Sequence, residues 1–365
     1  MSKKLLPTVI GMILTGGVAI AQADVQVFGR IDESLNYIDG GRIQGTGGDN
    51  YWKYVSKGDN NTQLVCNDCE VGVKGSEDLG NGLKALFKLA YEYNINESTG
   101  LTGRDQWLGL GGSFGKLQAG TMSTVYKSYG SDVDPVYTTV AQGKNIGLQS
   151  HLHSGKGDQG QGRSTNTIGY SSPSWKGLEF DATYTVQPDS TTPRSDNPFS
   201  AGLKYENGGL LAAVAYLNNG AGGDDAATQV SAQYTFSNFI ITGQYEFDQG
   251  LITDDRTGSL GQHNSGDGAD VWFVGGAYTM GNNALYAAYG QGDNAKTNVS
   301  SANPAPPPNN LTNSVSVPQY KAWEIVGIHH FSKRTMAYLG YVGNEPDDNN
   351  IDSVNQYALG FQHKF

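Results

Sequence analysis

The sequence predicts an all-β fold, a closed barrel of sixteen antiparallel strands that crosses a membrane. Three observations lead there. Segment after segment alternates apolar and polar residues with a period of two, the signature of a strand with one apolar face. The connections between these segments alternate short and long. Beyond the N-terminal region, no apolar run reaches the roughly 18 residues that a spanning helix needs. Hydrophobic residues make up only 37% of the chain and mean hydropathy is -0.44, which argues against a bundle of membrane helices. The 51 glycines and 21 tyrosines fit many short strands and turns instead.

The first element is residues 1–23, which differ from all that follows. Lys3 and Lys4 precede an apolar run from Leu5 to Ile20, and "AQA" ends at Ala23. A charged start, an apolar middle and small residues before a cut form a secretory signal peptide. Pro7, Gly11, Gly16 and Gly17 weaken the alternative, a membrane anchor. The exported chain, 24–365, is expected to begin at Asp24 and to form one barrel.

Strands are expected near 24–37, 64–75, 82–94, 104–112, 115–121, 163–171, 177–187 and 198–206. Eight more follow near 209–217, 226–236, 238–248, 270–280, 283–291, 320–331, 334–342 and 354–365. In "LKALFKLAYEYN", Leu83, Ala85, Phe87, Leu89, Tyr91 and Tyr93 stand against Lys84, Lys88 and Glu92. In "FIITGQYEFD", Phe239, Ile241, Tyr245 and Phe247 stand against Thr242, Gln244, Glu246 and Asp248. The last strand, "YALGFQHKF", puts Tyr357, Leu359, Phe361, His363 and Phe365 on one face. The segments near Leu210–Leu217 and Thr335–Val342 show no clear polar face.

Short connections such as "NG", "SN" and "GNN" take turns with long ones, the longest being 122–162. All short turns then lie at one end and all long loops at the other. A soluble β-sandwich also alternates, but its Greek-key connections mix lengths without this rhythm. A membrane barrel has short periplasmic turns, long outer loops, an apolar face toward lipid and a polar face toward water. Only helices and closed barrels satisfy every backbone group in a bilayer, and helices are unavailable here. The apolar side of the last strand is therefore expected to face lipid, and the strand to pair with the first and remove both edges.

Charge and cysteines narrow the function. A formal charge of -11 disfavours nucleic acid as a partner. The two cysteines, Cys66 and Cys69, stand three apart in an exported chain, where a structural disulfide is the expected state. A zinc site would want two more soft ligands nearby in sequence, and a redox Cys-x-x-Cys normally opens a helix rather than interrupting strand signals.

Several stretches now resemble the general porins of Gram-negative bacteria, above all the β-proteobacterial and neisserial type. "VQVFGRIDESLNY" resembles that family's first strand, and "VGVKGSEDLGNGLKALFKL" (Val71–Leu89) its most recognisable hairpin. "RDQWLGLGGSFGKLQAG", "STNTIGYSSPSWKGLEF" and the ending "LGFQHKF" are similar to later family segments. The likeness is weaker between Ala201 and Pro318. The resemblance implies a homotrimeric, water-filled outer-membrane channel that passes ions and small hydrophilic solutes by diffusion, without enzymatic activity or cofactor. It also implies outer-membrane lipid and lipopolysaccharide around the barrel, and an assembly machinery that reads Tyr357, Phe361 and Phe365. A second reading keeps the barrel but makes its outer loops an adhesin or receptor, with the Pro-rich Asn303–Asn310 as a candidate surface.

In this family the third loop folds into the lumen, which would be 122–162 here. Its Asp132 and Asp134, beside Pro135 and Tyr137, resemble the family's acidic constriction segment. Parity nominates basic residues against it: Arg30, Lys74, Lys84 and Lys88, with Arg104 and Arg163 near strand ends. Opposed charges across such a slot would tune ion preference. The family commonly has an arginine after the glycine at 120, where this chain has Thr121, so the sign of that preference stays open. Glu33 breaks parity by sharing a face with Val25, Val27, Ile31 and Leu35, and is expected to meet a neighbouring subunit in the trimer rather than lipid.

Other chemistry is discounted. "GGSFG" matches a nucleophile elbow around Ser113 but sits between two strands, where that chemistry needs a strand-to-helix turn with His and acid partners. His151 and His153 form an H-x-H pair expected to be ordinary loop rather than a metal site.

Overall fold

The computed structural model describes residues 24–40, 61–97, 100–157, 162–186, 197–220, 226–257, 268–300, 312–349 and 351–365. The expected signal peptide and the Pro-rich segment Asn303–Asn310 lie outside the described residues. The chain opens with β1 (Asp24–Gly40), β2 (Asn61–Cys66), β3 (Glu70–Gly80), β4 (Leu83–Glu92), β5 (Thr102–Gly112) and β6 (Gly115–Ser123). A long loop follows, holding α1 (Val125–Asp132), α2 (Gly143–Ile146), a 3-10 turn (His151–His153) and the two-residue β7 (Lys156–Gly157). Next come β8 (Arg163–Ser171), β9 (Leu178–Thr185), β10 (Phe199–Asn207), β11 (Leu210–Asn218), β12 (Ala226–Phe236) and β13 (Phe239–Gln249). After α3 (Leu251–Thr257) stand β14 (Val271–Met280) and β15 (Asn283–Gly292), then the small hairpin of β16 (Ala295–Ser300) and β17 (Thr312–Val317). The barrel ends with β18 (Tyr320–Ser332), β19 (Thr335–Pro346) and β20 (Val354–Lys364).

Each wall strand pairs antiparallel with its sequence neighbours, and β20 pairs with β1 from Arg30–Lys364 to Gly40–Val354. The sheet therefore closes and presents no edge. β2 and β3 both pair with β1 and form two halves of one stave, so the wall has sixteen. The short turns use residues that their geometry demands. Asn81 and Gly82 both have positive φ (54° and 78°), as a two-residue turn matched to strand twist requires.

The outer face follows the alternation. Leu35, Leu108, Val230 and Leu339 are exposed at mid-span, with Ile241 and Leu285 nearer the short turns, an aliphatic band suited to hydrocarbon. Aromatic rings collect toward both ends. Phe239 packs against Phe236 and Tyr278, with ring centroids 5.4 and 4.6 Å away, near the short turns. Tyr357 lies 5.0 Å from Tyr341 near the long loops. Phe365 shares the outer face with Phe361. Its backbone exchanges hydrogen bonds with Gly29 (3.0 and 3.1 Å), and its ring lies where a side chain at Gly29 would stand.

Inside, apolar packing is confined to part of the wall. Val133, Val136, Ile146 and Leu148 of the long loop pack on Phe273, Tyr286, Val326 and Tyr338 of β14, β15, β18 and β19. Val125, Tyr126, Tyr129 and Leu152 pack with Leu217, Leu251 and Ile252. The staves from β1 to β8 contribute no residue to these two cores, and their inward side chains include the ion-paired Arg30, Glu70, Lys88, Arg104, Asp105 and Arg163.

The structure departs from the sequence reading in three places. The second stave is broken at residues 67–69 rather than continuous over 64–75. The loops expected at 249–269 and 292–319 carry α3 and the β16–β17 hairpin. Local polar runs conceal these because their packing partners lie on other strands.

Candidate functional site

The 122–162 loop folds into the barrel, and buried polar contacts on the wall hold it. Glu246 on β13 is the anchor: it accepts from the Tyr126 hydroxyl (2.7 Å), the Ser150 amide (2.7 Å) and the Ser150 hydroxyl, with His153 at 3.3 Å. Gln244 accepts from Gln149 at 2.8 Å, and Thr242 donates to the Val133 carbonyl at 2.6 Å. From the other staves, Tyr320 donates to Gly147 O (2.9 Å), Asn344 to Ile146 O (3.0 Å) and Gln362 to the Thr138 hydroxyl (3.0 Å). Gly147 has φ 90°, and a Cβ there would strike the Tyr320 ring, so glycine is required at this turn. Hydrogen bonds to a charged acceptor contribute about 1.5–3 kcal/mol each, so the Glu246 cluster fixes the loop firmly.

The two loop acids do not form the acidic face expected of them. Asp134 is buried and accepts the amides of Gly143 (2.8 Å) and Val136 (3.0 Å), closing the loop on itself. Burial pushes its carboxyl up to about 6. Asp132 is exposed but pairs with Lys204 of β10 at 3.2 Å, on the side away from the nominated arginines. Short carboxylates two apart in an irregular loop serve whichever backbone amide or cation is nearest, and alternation gives no guide there.

What the loop turns toward β1–β8 is basic. Lys127 is buried and donates to His153 O, while Lys144 is half-buried, and both ammonium groups lie over the Tyr137 ring at 5.7 and 5.0 Å. Burial and then the charge of Arg163 push Lys144 down to about 8. Burial, and after it Lys144, holds Lys127 below the usual lysine range as well. Neither lysine was nominated from sequence, because parity applies only to strands.

The facing wall carries the nominated cations, and four of them, Arg30, Lys88, Arg104 and Arg163, are engaged with acids. Arg30 pairs with Asp68 and, at 3.3 Å, with Glu70. Arg104 reaches Asp68 at 2.7 Å, Glu70 at 3.3 Å and Glu92 at 3.6 Å. Asp105 is shared between Lys88 (2.9 Å) and Arg163 (3.0 Å). Lys74 and Lys88 lie over the Phe28 ring at 5.4 and 5.6 Å, while Lys84 is exposed near the short-turn rim of β4. Arg30, Arg104, Arg163 and Lys88 thus come together opposite Lys144, whereas Lys84 stands apart. The partner acids Asp68, Glu70 and Asp105 were missed. The inward parity of Glu70 beside Lys74 was the available signal.

Cys66 and Cys69 are bonded, with Cα atoms 5.9 Å apart. Glu33 points outward and is part-covered, accepting from Asn96 at 2.7 Å. Among the described residues the one group of three possible metal donors is Glu33, Cys66 and Cys69, and the disulfide consumes two of them. His151 faces Asp255 and His153 faces Glu246, so the H-x-H pair diverges. Ser113 occupies a hairpin turn between β5 and β6.

The sequence profile of the Gram-negative porin family matches residues 8–349. An outer membrane porin protein of Bordetella pertussis is 28% identical over 251 residues, which are 64% of this chain and 63% of that protein. Major outer membrane protein P.IB of Neisseria meningitidis serogroup A is 28% identical over 205 residues, 56% of each chain. The matches therefore span less than two thirds of these relatives. An anion-selective porin from Comamonas acidovorans superposes with a TM-score of 0.67 over 94% of this chain and 100% of that one, at 19% identity. OmpT of Vibrio cholerae in a trimer form gives 0.62 over 94% and 99%, at 13% identity. At such identities the likeness is one of fold.

Proposed function

Since the chain belongs to the Gram-negative porin family, we propose that it is an outer-membrane porin: a water-filled channel through which ions and small hydrophilic solutes diffuse. The observation that carries this reading is the infolded loop. It is docked on one side of the lumen and leaves a charged slot between Lys144 and the Arg30–Arg104–Arg163 wall. Polar walls and a fixed constriction suit passage of hydrated solutes sorted by size and charge. The five cations there, Arg30, Lys88, Arg104, Arg163 and Lys144, outnumber the four acids Asp68, Glu70, Glu92 and Asp105 by one, which favours anions.

The exported chain, freed of residues 1–23, assembles as a homotrimer in the outer membrane among lipid and lipopolysaccharide. Glu33 and the outer face of β1 supply part of the subunit contact, where a part-covered carboxylate is tolerable and hydrocarbon would not suit it. The assembly machinery reads Tyr357, Phe361 and Phe365, which stand exposed along the outer face of β20. Nothing among the described residues or in the names of these relatives favours an adhesin or receptor over a channel.

Liposome swelling tests the reading. Vesicles holding the folded protein should swell in neutral sugars at rates that fall with sugar size and do not saturate with concentration. Folded protein that leaves the vesicles impermeable would overturn it.

A further inference from the structure

Opposite the infolded loop, the second stave contains an insertion that the plain barrel does not need. β1 places Arg30 opposite Glu70 and Glu33 opposite Cys66. Two residues of β1, Ile31 and Asp32, therefore face three of the other stave, Asn67, Asp68 and Cys69. This is a β-bulge, a device that bends a strand and re-aims its side chains. Here the bulge is closed by the Cys66–Cys69 bond. The backbone ties it on both flanks: Asn67 donates its amide to Asp32 O at 2.9 Å, and Cys69 O accepts from the Tyr93 amide at 3.2 Å. The Asn67 side chain reaches Asp32 (2.6 Å), Ser34 (3.0 Å) and Tyr338 (3.1 Å).

The effect is to plant one carboxylate among the slot's cations. Asp68 is 6% exposed, and its two oxygens divide between Arg30 and Arg104. Arg30 also donates to the Asp68 carbonyl at 3.1 Å, so the guanidinium grips both the side chain and the backbone of the bulge. Across the slot, the Asp68 charge acts on Lys144. A disulfide across a four-residue bulge adds little loop-closure entropy to a barrel of this size. Its consequence is local: it limits where Asn67 and Asp68 can go.

We propose that the disulfide-closed bulge Cys66–Cys69 is a selectivity-determining element, holding Asp68 between Arg30 and Arg104 so that it moderates the positive field met by permeating anions. The proposal rests on the channel reading above. Asp68 is the positioning and neutralising group, and the cystine keeps it from swinging out of the slot.

The test is the reversal potential of single channels in a planar bilayer under a salt gradient. Asp68→Asn should move it toward the anion limit. The permeability ratio should change by about twofold or more, the effect of one unit charge at about 10 Å in water. Cys66→Ser with Cys69→Ser should move it the same way by less, and so should wild-type protein folded first and then reduced with a phosphine. That last arm needs no variant to fold. Asp78→Asn removes an equal charge from the short-turn end of the same stave, where Asp78 accepts from the Gly80 amide, and should leave the potential unchanged. An unshifted Asp68→Asn, an unshifted reduced channel, or an equal shift from Asp78→Asn overturns the proposal. Wild-type protein that shows no open steps strikes instead at the channel reading, so the two failures are distinct.

Discussion

Lys144 shows how a single side chain sets a property of the slot. Burial within the infolded loop and the neighbouring Arg163 charge push its ammonium group down to about 8. Its positive charge is present below that pH and leaves as pH rises through it. Preference for anions should therefore fall between about pH 7 and pH 9 in reversal-potential measurements, and Lys144→Gln should reduce both the preference and its pH dependence. A preference that stays flat through that range would remove Lys144 from the slot. At this scale legibility in the sequence was uneven for a physical reason. Arg30, Lys74 and Lys88 are readable because strand parity fixes their side. Lys127, Lys144, Asp132 and Asp134 lie in or beside the short helices of the long loop, where strand parity does not apply and a side chain's direction is decided by contacts with residues far away in sequence.

Two elements give the barrel its individuality, the infolded loop and the broken second stave. The family resemblance, supported by the loop's length and place, implied infolding, but the loop's anchor did not announce itself. Glu246 reads as one more polar residue on β13 until Tyr126, Ser150 and His153 are seen around it. Glu246→Ala removes several hydrogen bonds to one carboxylate at about 1.5–3 kcal/mol each, more than a docked loop can lose and stay docked. The variant barrel should still fold, conduct in larger and noisier open steps, and expose the loop to added protease. Unchanged conductance and protection would mean that the apolar contacts alone hold the loop. The break at 67–69 was invisible because apolar alternation resumes on its far side, at Val71 and Val73, as though nothing intervened.

For the molecule as a whole, closure and orientation follow from the hydrophobic pattern, and here the sequence was most informative. Sixteen staves, the pairing of the last with the first and the outward faces all follow from period two and the loop rhythm. That pattern says which face meets lipid because a bilayer penalises charge on one side and water penalises apolar surface on the other. Val230→Arg, at mid-span on β12 and away from the Glu33 face, should cost about 2–4 kcal/mol in refolding into vesicles. The same substitution in a soluble β-sandwich, with Val230 in its interior, would instead abolish folding in detergent and vesicles alike.

The central claim is that the infolded loop and the β1–β8 wall enclose a conducting slot with a net positive field. Single-channel recording of the wild-type protein under a salt gradient addresses it most directly. The account predicts discrete open steps whose reversal potential has the sign of an anion-preferring pore. Silence from protein that remains a folded, SDS-resistant oligomer would contradict the open slot, and a cation-signed potential would contradict the assignment of its charge.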